Sequence, residues 1–299
     1  MEQSENNNFS DILSAFNVIN TSLAFDAYLP IAKKSVRFKQ LTTGQEKRIA
    51  KQLLIGDDKT IYSVLPEILQ ENCLDPSFVV KKASIIDFFC IIIQTRIYSI
   101  GNTITIRTYK KTTVDSNMEE AAKAISDKIP EGGIIDKKDD KSKKKPKGSE
   151  TIDIKIDLIK ICEAIEKETK DYHDITISDD NLPYRIECGV PTVETISRSI
   201  ETKEDENDII SKILKFISKI YLINQTTKEA KEIPFSSFTP DQAKELLEQL
   251  PNRLLVQATE KIFDIFKLLS NIQLYKFTIQ GAEYYQTINF TSLDFFTSF

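Results

Sequence analysis

A chain of 299 residues with 40% hydrophobic and 28% charged side chains can bury a substantial core as one or two domains, and its composition is that of a soluble globular protein. The formal charge of −5 and a pI of about 5.3 exclude a global basic field for nucleic acid. Cys73, Cys90, Cys162 and Cys188 are scattered and His173 is the single histidine, which argues against a disulfide framework, a zinc site and any cofactor, and for a reducing compartment.

The first residues, Met1 to Ser10, are polar and acidic, unlike a signal peptide. Ile12, Leu13, Phe16 and Ile19 follow at helical spacing, and residues 1–27 read as a weakly amphipathic lead-in. The body is expected to begin at residue 28. After Leu29-Pro30, the alternation of Val36 and Phe38 with charged neighbours predicts a short strand. Thr43-x-x-Glu46 predicts a capping box and a helix to Leu54, stopped by Gly56-Asp57-Asp58. A second helix, about Thr60 to Glu71, carries Pro66, a candidate break or kink.

Ser84 to Tyr98 is apolar almost all round, interrupted by Asp87, Gln94 and Arg96. That run is too short and too interrupted to span a bilayer, so a buried central helix is expected, with no membrane partner. Thr103 to Tyr109 and Thr151 to Ile156 are two β runs, which pair naturally into a β arm. Between them, Glu119 to Ile129 offers a short helix, and Asp136 to Ser149 holds seven lysines and three aspartates, the composition of a mobile loop. The expected domain plan is therefore a body of residues 28–110 and 151–299, with a flexible Lys-rich loop at 111–150.

Ile175-Thr176-Ile177 and Tyr184 to Glu187 predict two more short strands, and Thr192-x-x-Thr195 opens a helix. Ile209, Ile210, Ile213, Leu214, Ile217 and Ile220 predict one amphipathic helix, followed by a turn at Asn224-Gln225-Thr226 and an extended piece ending at Ile233-Pro234-Phe235. Thr239-Pro240-Asp241-Gln242 is a strong helix start, and Leu254 to Leu269 is a second helix. Tyr275, Phe277 and Ile279, a turn at Gly281-Ala282, and Tyr284, Gln286, Ile288 and Phe290 predict a C-terminal hairpin. The fold class is a helix-rich α+β protein: a central buried helix with small antiparallel sheets, a β arm and a C-terminal hairpin.

The order of these elements resembles the T-even-type bacteriophage baseplate protein family, which includes the baseplate hub assembly subunit of contractile-tailed phages. The resemblance rests on Leu29-Pro30 with Val36-Arg37-Phe38 and Thr43 to Leu54; on Ile85-Ile86-Asp87-Phe88-Phe89 and Arg96 to Gly101; on Ile175 to Asp180 with Val190-Pro191-Thr192; and on Phe238-Thr239, Leu250-Pro251, Phe263 to Phe266 and Ile288 to Phe296. Together these span most of Tyr28 to Phe299. The resemblance implies a non-enzymatic baseplate hub assembly or structural protein. Its expected partners are other hub or tail proteins, with self-association a second option, in the host cytoplasm during assembly or in the virion tail baseplate. Members of that family often carry cysteine pairs in the β arm and the C-terminal hairpin. Thr108 to Thr113 and Leu274 to Tyr284 contain none here, so no metal is carried over, and packing by Tyr275, Phe277, Tyr284 and Tyr285 is the expected substitute.

No nucleotide-binding or nucleophile-elbow motif occurs. His173, between Asp171 and Asp174, reads as a solvated loop residue, and Cys90, inside an apolar helix, as core. No catalytic residue is assigned. The alternative function, a nucleic-acid-associated accessory factor using Lys141 to Lys147, is disfavoured because that run lacks interleaved aromatics and is diluted by aspartates. The candidate partner-binding residues are Phe295, Phe296, Phe299, Tyr284 and Tyr285. The C-terminal aromatics either fold back to close the core or form a docking patch; Phe290 is expected in the core and Phe295, Phe296 and Phe299 partly exposed.

Overall fold

In a computed structural model the described residues are 10–12, 14–16, 19, 23–55, 58–109, 151–178, 183–202, 209–224, 226–227, 229–234, 237–249, 251–279, 282–290 and 293–296. The helix proposed for Glu119 to Ile129 and the Lys-rich loop lie outside them.

The fold is helix-rich α+β, and its centre is the apolar helix α3 (Ile85–Ser99), after α1 (Thr43–Ile55) and α2 (Asp58–Asn72) in the chain. Eleven of its residues are buried, from Ile85 to Arg96. Strands β1 (Phe25–Leu29) and β2 (Lys34–Phe38) form an antiparallel hairpin that packs on α3. Phe25, Ala27 and Leu29 alternate inward with Asp26 and Tyr28 outward. β1 thus starts at Phe25, within the residues read from the sequence as the lead-in.

The three polar residues that interrupt α3 each satisfy neighbouring backbone. Asp87 is 2% exposed, and its carboxylate accepts from Ile31 N at 2.9 Å and Ala32 N at 3.2 Å, in the turn between β1 and β2. Two turns of helix later, Gln94 accepts from Tyr28 N and donates to Tyr28 O, both at 3.1 Å, as a neighbouring strand would. Arg96, also buried, donates to Gly101 O at 2.7 Å and Thr103 O at 3.3 Å. It thereby holds the root of the arm formed by β3 (Thr103–Tyr109) and β4 (Thr151–Asp157). That arm has the expected antiparallel pairing, with Thr103 opposite Asp157 and Tyr109 opposite Thr151.

Helix α4 (Leu158–Thr169) follows β4 directly and packs on α3. A four-stranded antiparallel sheet comes next, in spatial order β5 (Ile175–Ser178), β6 (Tyr184–Cys188), β7 (Ile217–Ile223) and β8 (Ala230–Pro234). Between β6 and β7 lie α5 (Val193–Thr202), packed on α2, and α6 (Ile209–Leu214). The single helix expected from Ile209 through Ile220 is thus corrected: it stops at Leu214, and Ile217 and Ile220 belong to β7. Ile217 pairs with Cys188 and Lys219 with Glu187, leaving Ser218 as a bulge. The extra residue lets Ile217 and Ile220, three apart, both point into the core, and this imitates helical spacing.

Helices α7 (Pro240–Glu248) and α8 (Asn252–Gln273) precede the hairpin of β9 (Leu274–Ile279) and β10 (Ala282–Thr287) and the short α9 (Leu293–Phe296). The α7 capping box is complete: Gln242 N donates to Thr239 Oγ1 and Thr239 N to Gln242 Oε1. The box at α1 lies one residue earlier than expected, with Thr42 and Gln45 in the reciprocal roles. Pro66 does not break α2, which continues through it to Asn72. Among the described residues no helix is long and apolar enough to cross a membrane.

Candidate interaction surfaces

The C-terminal aromatics take the inward option. Phe290 is buried as expected, and its ring centroid lies 5.5 Å from that of Phe89 on α3. Phe295 and Phe296, expected to be partly exposed, are 2% and 5% exposed. Phe295 packs edge-on to Phe290 at 5.7 Å and to Phe296 at 5.3 Å, and α9 seats on α1. The physical reason is packing against earlier elements: Phe290 lies on Phe89 of α3, Phe295 on Phe290, and the short helix that carries Phe295 and Phe296 contacts α1. Their expected partial exposure is therefore corrected. Phe299 lies outside the described residues. Tyr284 and Tyr285 are paired in register with Phe277 and Lys276 across the β9–β10 hairpin.

Large apolar side chains are exposed elsewhere. On α8, Leu254, Ala258, Ile262, Ile265 and Ile272 face inward, while Val256, Phe263 and Phe266 remain open on the outer face. Phe266 rests partly on Phe216, 4.7 Å away. At the other end of the chain, helical turns at residues 10–12, 14–16 and 19 expose Ile12, Phe16 and Ile19, with Leu23 exposed just beyond them. The signal for α8 was visible in the sequence: the helix holds more apolar residues than one buried stripe requires.

One polar cluster sits on the four-stranded sheet. The Tyr172 hydroxyl donates to Asp174 Oδ1 at 3.2 Å and accepts from Val190 N at 2.9 Å. Asp174 lies over Gly189, where a Cβ would meet Asp174 Oδ1 at 2.6 Å, so any larger residue there must displace the Asp174 carboxyl. Nearby, the Tyr221 hydroxyl donates to Glu187 Oε2 at 2.8 Å and its ring carries the Arg185 guanidinium at 4.3 Å. Lys219 bridges Glu187 at 3.9 Å and Glu232 at 3.4 Å. Burial raises the Asp174 carboxyl above its ordinary range, and the adjacent Glu187 charge adds to the shift. Burial likewise raises Tyr172 well above an ordinary phenol. These groups tie the Gly189-Val190 segment to the sheet. The next residues stitch it to α3, with Ile85 N donating to Pro191 O at 2.8 Å and Val193 N to Ala83 O at 3.0 Å.

The remaining chemistry is that of a packed interior. Burial pushes the Cys162 and Cys188 thiols up to about 12 and Cys90 well above its ordinary value, so all three stay protonated at neutral pH and are poor nucleophiles. His173 is exposed in the link before β5. Among the described residues no group of three or more His, Cys, Asp or Glu is arranged to hold a metal ion.

No curated protein and no solved structure matches the chain. A protein family does: residues 21–274 match the family described as T4 bacteriophage base plate protein, a span from just before β1 to the start of β9. The resemblance first carried by Leu29-Pro30, the central helix and the Val190-Pro191-Thr192 segment thus extends over most of the sequence, and the chain belongs to the T4 bacteriophage base plate protein family.

Proposed function

We propose that this baseplate protein is a non-enzymatic hub assembly or structural subunit, acting through contacts with other hub or tail proteins while the contractile tail is built in the host cytoplasm. The observation that carries the reading is the family match over residues 21–274. It is supported by the placement of the chain's polar side chains: Asp87, Gln94 and Arg96 are spent on the protein's own backbone. The exposed faces rich in apolar side chains, on α8 and the N-terminal segment, are the surfaces such a subunit would offer to neighbours.

The test is mass spectrometry of purified particles alongside a tagged pull-down from infected cells. Recovery with hub proteins in both samples makes the chain a structural subunit. Recovery with hub proteins only from infected cells makes it an assembly factor. Normal tails formed after deletion of the gene would overturn the reading.

A further inference from the structure

The chain exposes two apolar stripes of similar length. In the N-terminal segment, Ile12, Phe16, Ile19 and Leu23 follow one another at intervals of four, three and four residues. This is the spacing of a helix–helix seam rather than of a helix with a broad buried face. On α8, Val256, Phe263 and Phe266 continue the same rhythm, with Thr259 and Ser270 on the intervening rungs. Phe16 is 57% exposed and Phe263 47%. A lone helix of this length is marginal in water, so the N-terminal turns need a surface to pack on.

We propose that the N-terminal segment of one copy docks along the outer face of α8 of a second copy. Charge favours this pairing. Residues 1–24 carry Glu2, Glu5 and Asp11 and no lysine or arginine, whereas α8 carries Arg253, Lys261 and Lys267 against Glu260 and Asp264. Two N-terminal segments paired with each other would bring acidic ends together. The layering favours a contact between copies. Strand β1 packs on α3, α3 on α4 and α4 on α8, so two helices stand between the segment's point of attachment and α8. Such a seam joins two different surfaces, so it is reciprocal in a two-fold pair or propagates head to tail in a ring. The segment begins ahead of the residues matched by the family, and the pairing goes beyond the hub assembly reading.

The experiment is analytical ultracentrifugation of the full chain at tens of micromolar, with Phe16→Asp and Phe263→Glu run separately and mixed. Both positions are exposed, so each variant should still melt in a single cooperative transition and show that folding is intact. The parent should sediment above the mass of one chain. Each variant alone should be a monomer, its self-affinity weakened roughly thirtyfold or more by loss of a central aromatic. The mixture should recover pairs, because one intact N-terminal stripe then meets one intact α8. A monomeric parent, a variant that keeps the parent's mass, or a mixture that stays monomeric would each overturn the proposal. The last outcome would mean that like stripes pair with like. Loss of hub proteins from the pull-down with self-association intact would overturn only the functional reading above.

Discussion

The two ends of the chain carry comparable apolar segments and meet opposite fates. The C-terminal one, Phe290 with Phe295 and Phe296, sinks between α1 and α3. The N-terminal one, Ile12, Phe16, Ile19 and Leu23, stays on the surface. Hydrophobicity does not separate them. What differs is whether the rest of the fold leaves a gap of matching shape. Rings that fill such a gap gain dispersion contacts on every side, and a stripe lying on solvent gains none until another surface arrives.

Substitutions give the sharpest contrast between the two ends. Phe295→Ser or Phe296→Ser should each cost about 3–5 kcal/mol, the range for removing a buried aromatic, and the thermal midpoint should collapse. The matched change at Phe16 should leave the midpoint of the monomer within about 0.5 kcal/mol of the parent. Equal effects at both ends would remove the distinction.

Asp87→Ala should cost about 1–3 kcal/mol, because it leaves the partly buried N–H groups of Ile31 and Ala32 without their acceptor. Denaturant unfolding would register this as a lower midpoint with an unchanged slope. Gly189→Ala should cost about 1–3 kcal/mol, since the new methyl forces the Asp174 carboxyl away from Tyr172. A near-neutral result there would show that the polar cluster yields easily and does not brace the joint to α3.

A pH series separates buried from exposed carboxyls. Burial raises Asp87, and partial desolvation raises the solvent-accessible Asp174, above the ordinary carboxyl range in the folded protein. The folded state therefore holds these protons more tightly than the unfolded chain, whose value is about 3.9. Their contribution to stability is fully present below the unfolded value and is lost as pH rises through the folded values. Asp87→Asn should consequently be most destabilising, relative to the parent, at the acid end of a series of thermal melts from pH 4 to 7. A gap constant with pH would contradict the assigned direction. The smallest effect is expected at Lys219→Ala, below about 1 kcal/mol, because its pairs with Glu187 and Glu232 lie on a solvated sheet face.

Much of this architecture could be read from local pattern. The dense apolar run of α3, the alternation in β3 and β4 and the Thr239–Gln242 box each contain their own instruction within a few residues, so no distant partner was needed to recognise them. The family resemblance was legible for the same reason, since it rests on short segments in a fixed order. Local pattern failed where a distant residue decided the outcome. Ile217 and Ile220 imitate a helix because a bulge opposite Glu187 and Cys188 turns both inward. The strand at Phe25–Leu29 is held by Gln94 and the turn after it by Asp87, both more than fifty positions away.

The sequence by itself determined the fold class, the central helix, the β arm and the family. Each of these depends on periodicity and order, which the chain carries whatever its surroundings. Only the tertiary structure decided that Phe295 and Phe296 belong to the core, that the polar breaks in α3 serve backbone groups of β1, of the turn after it and of the arm, and that Val256 and Phe263 face outward. Burial is a property of the space left by other elements, and a side chain's own chemistry does not contain that information.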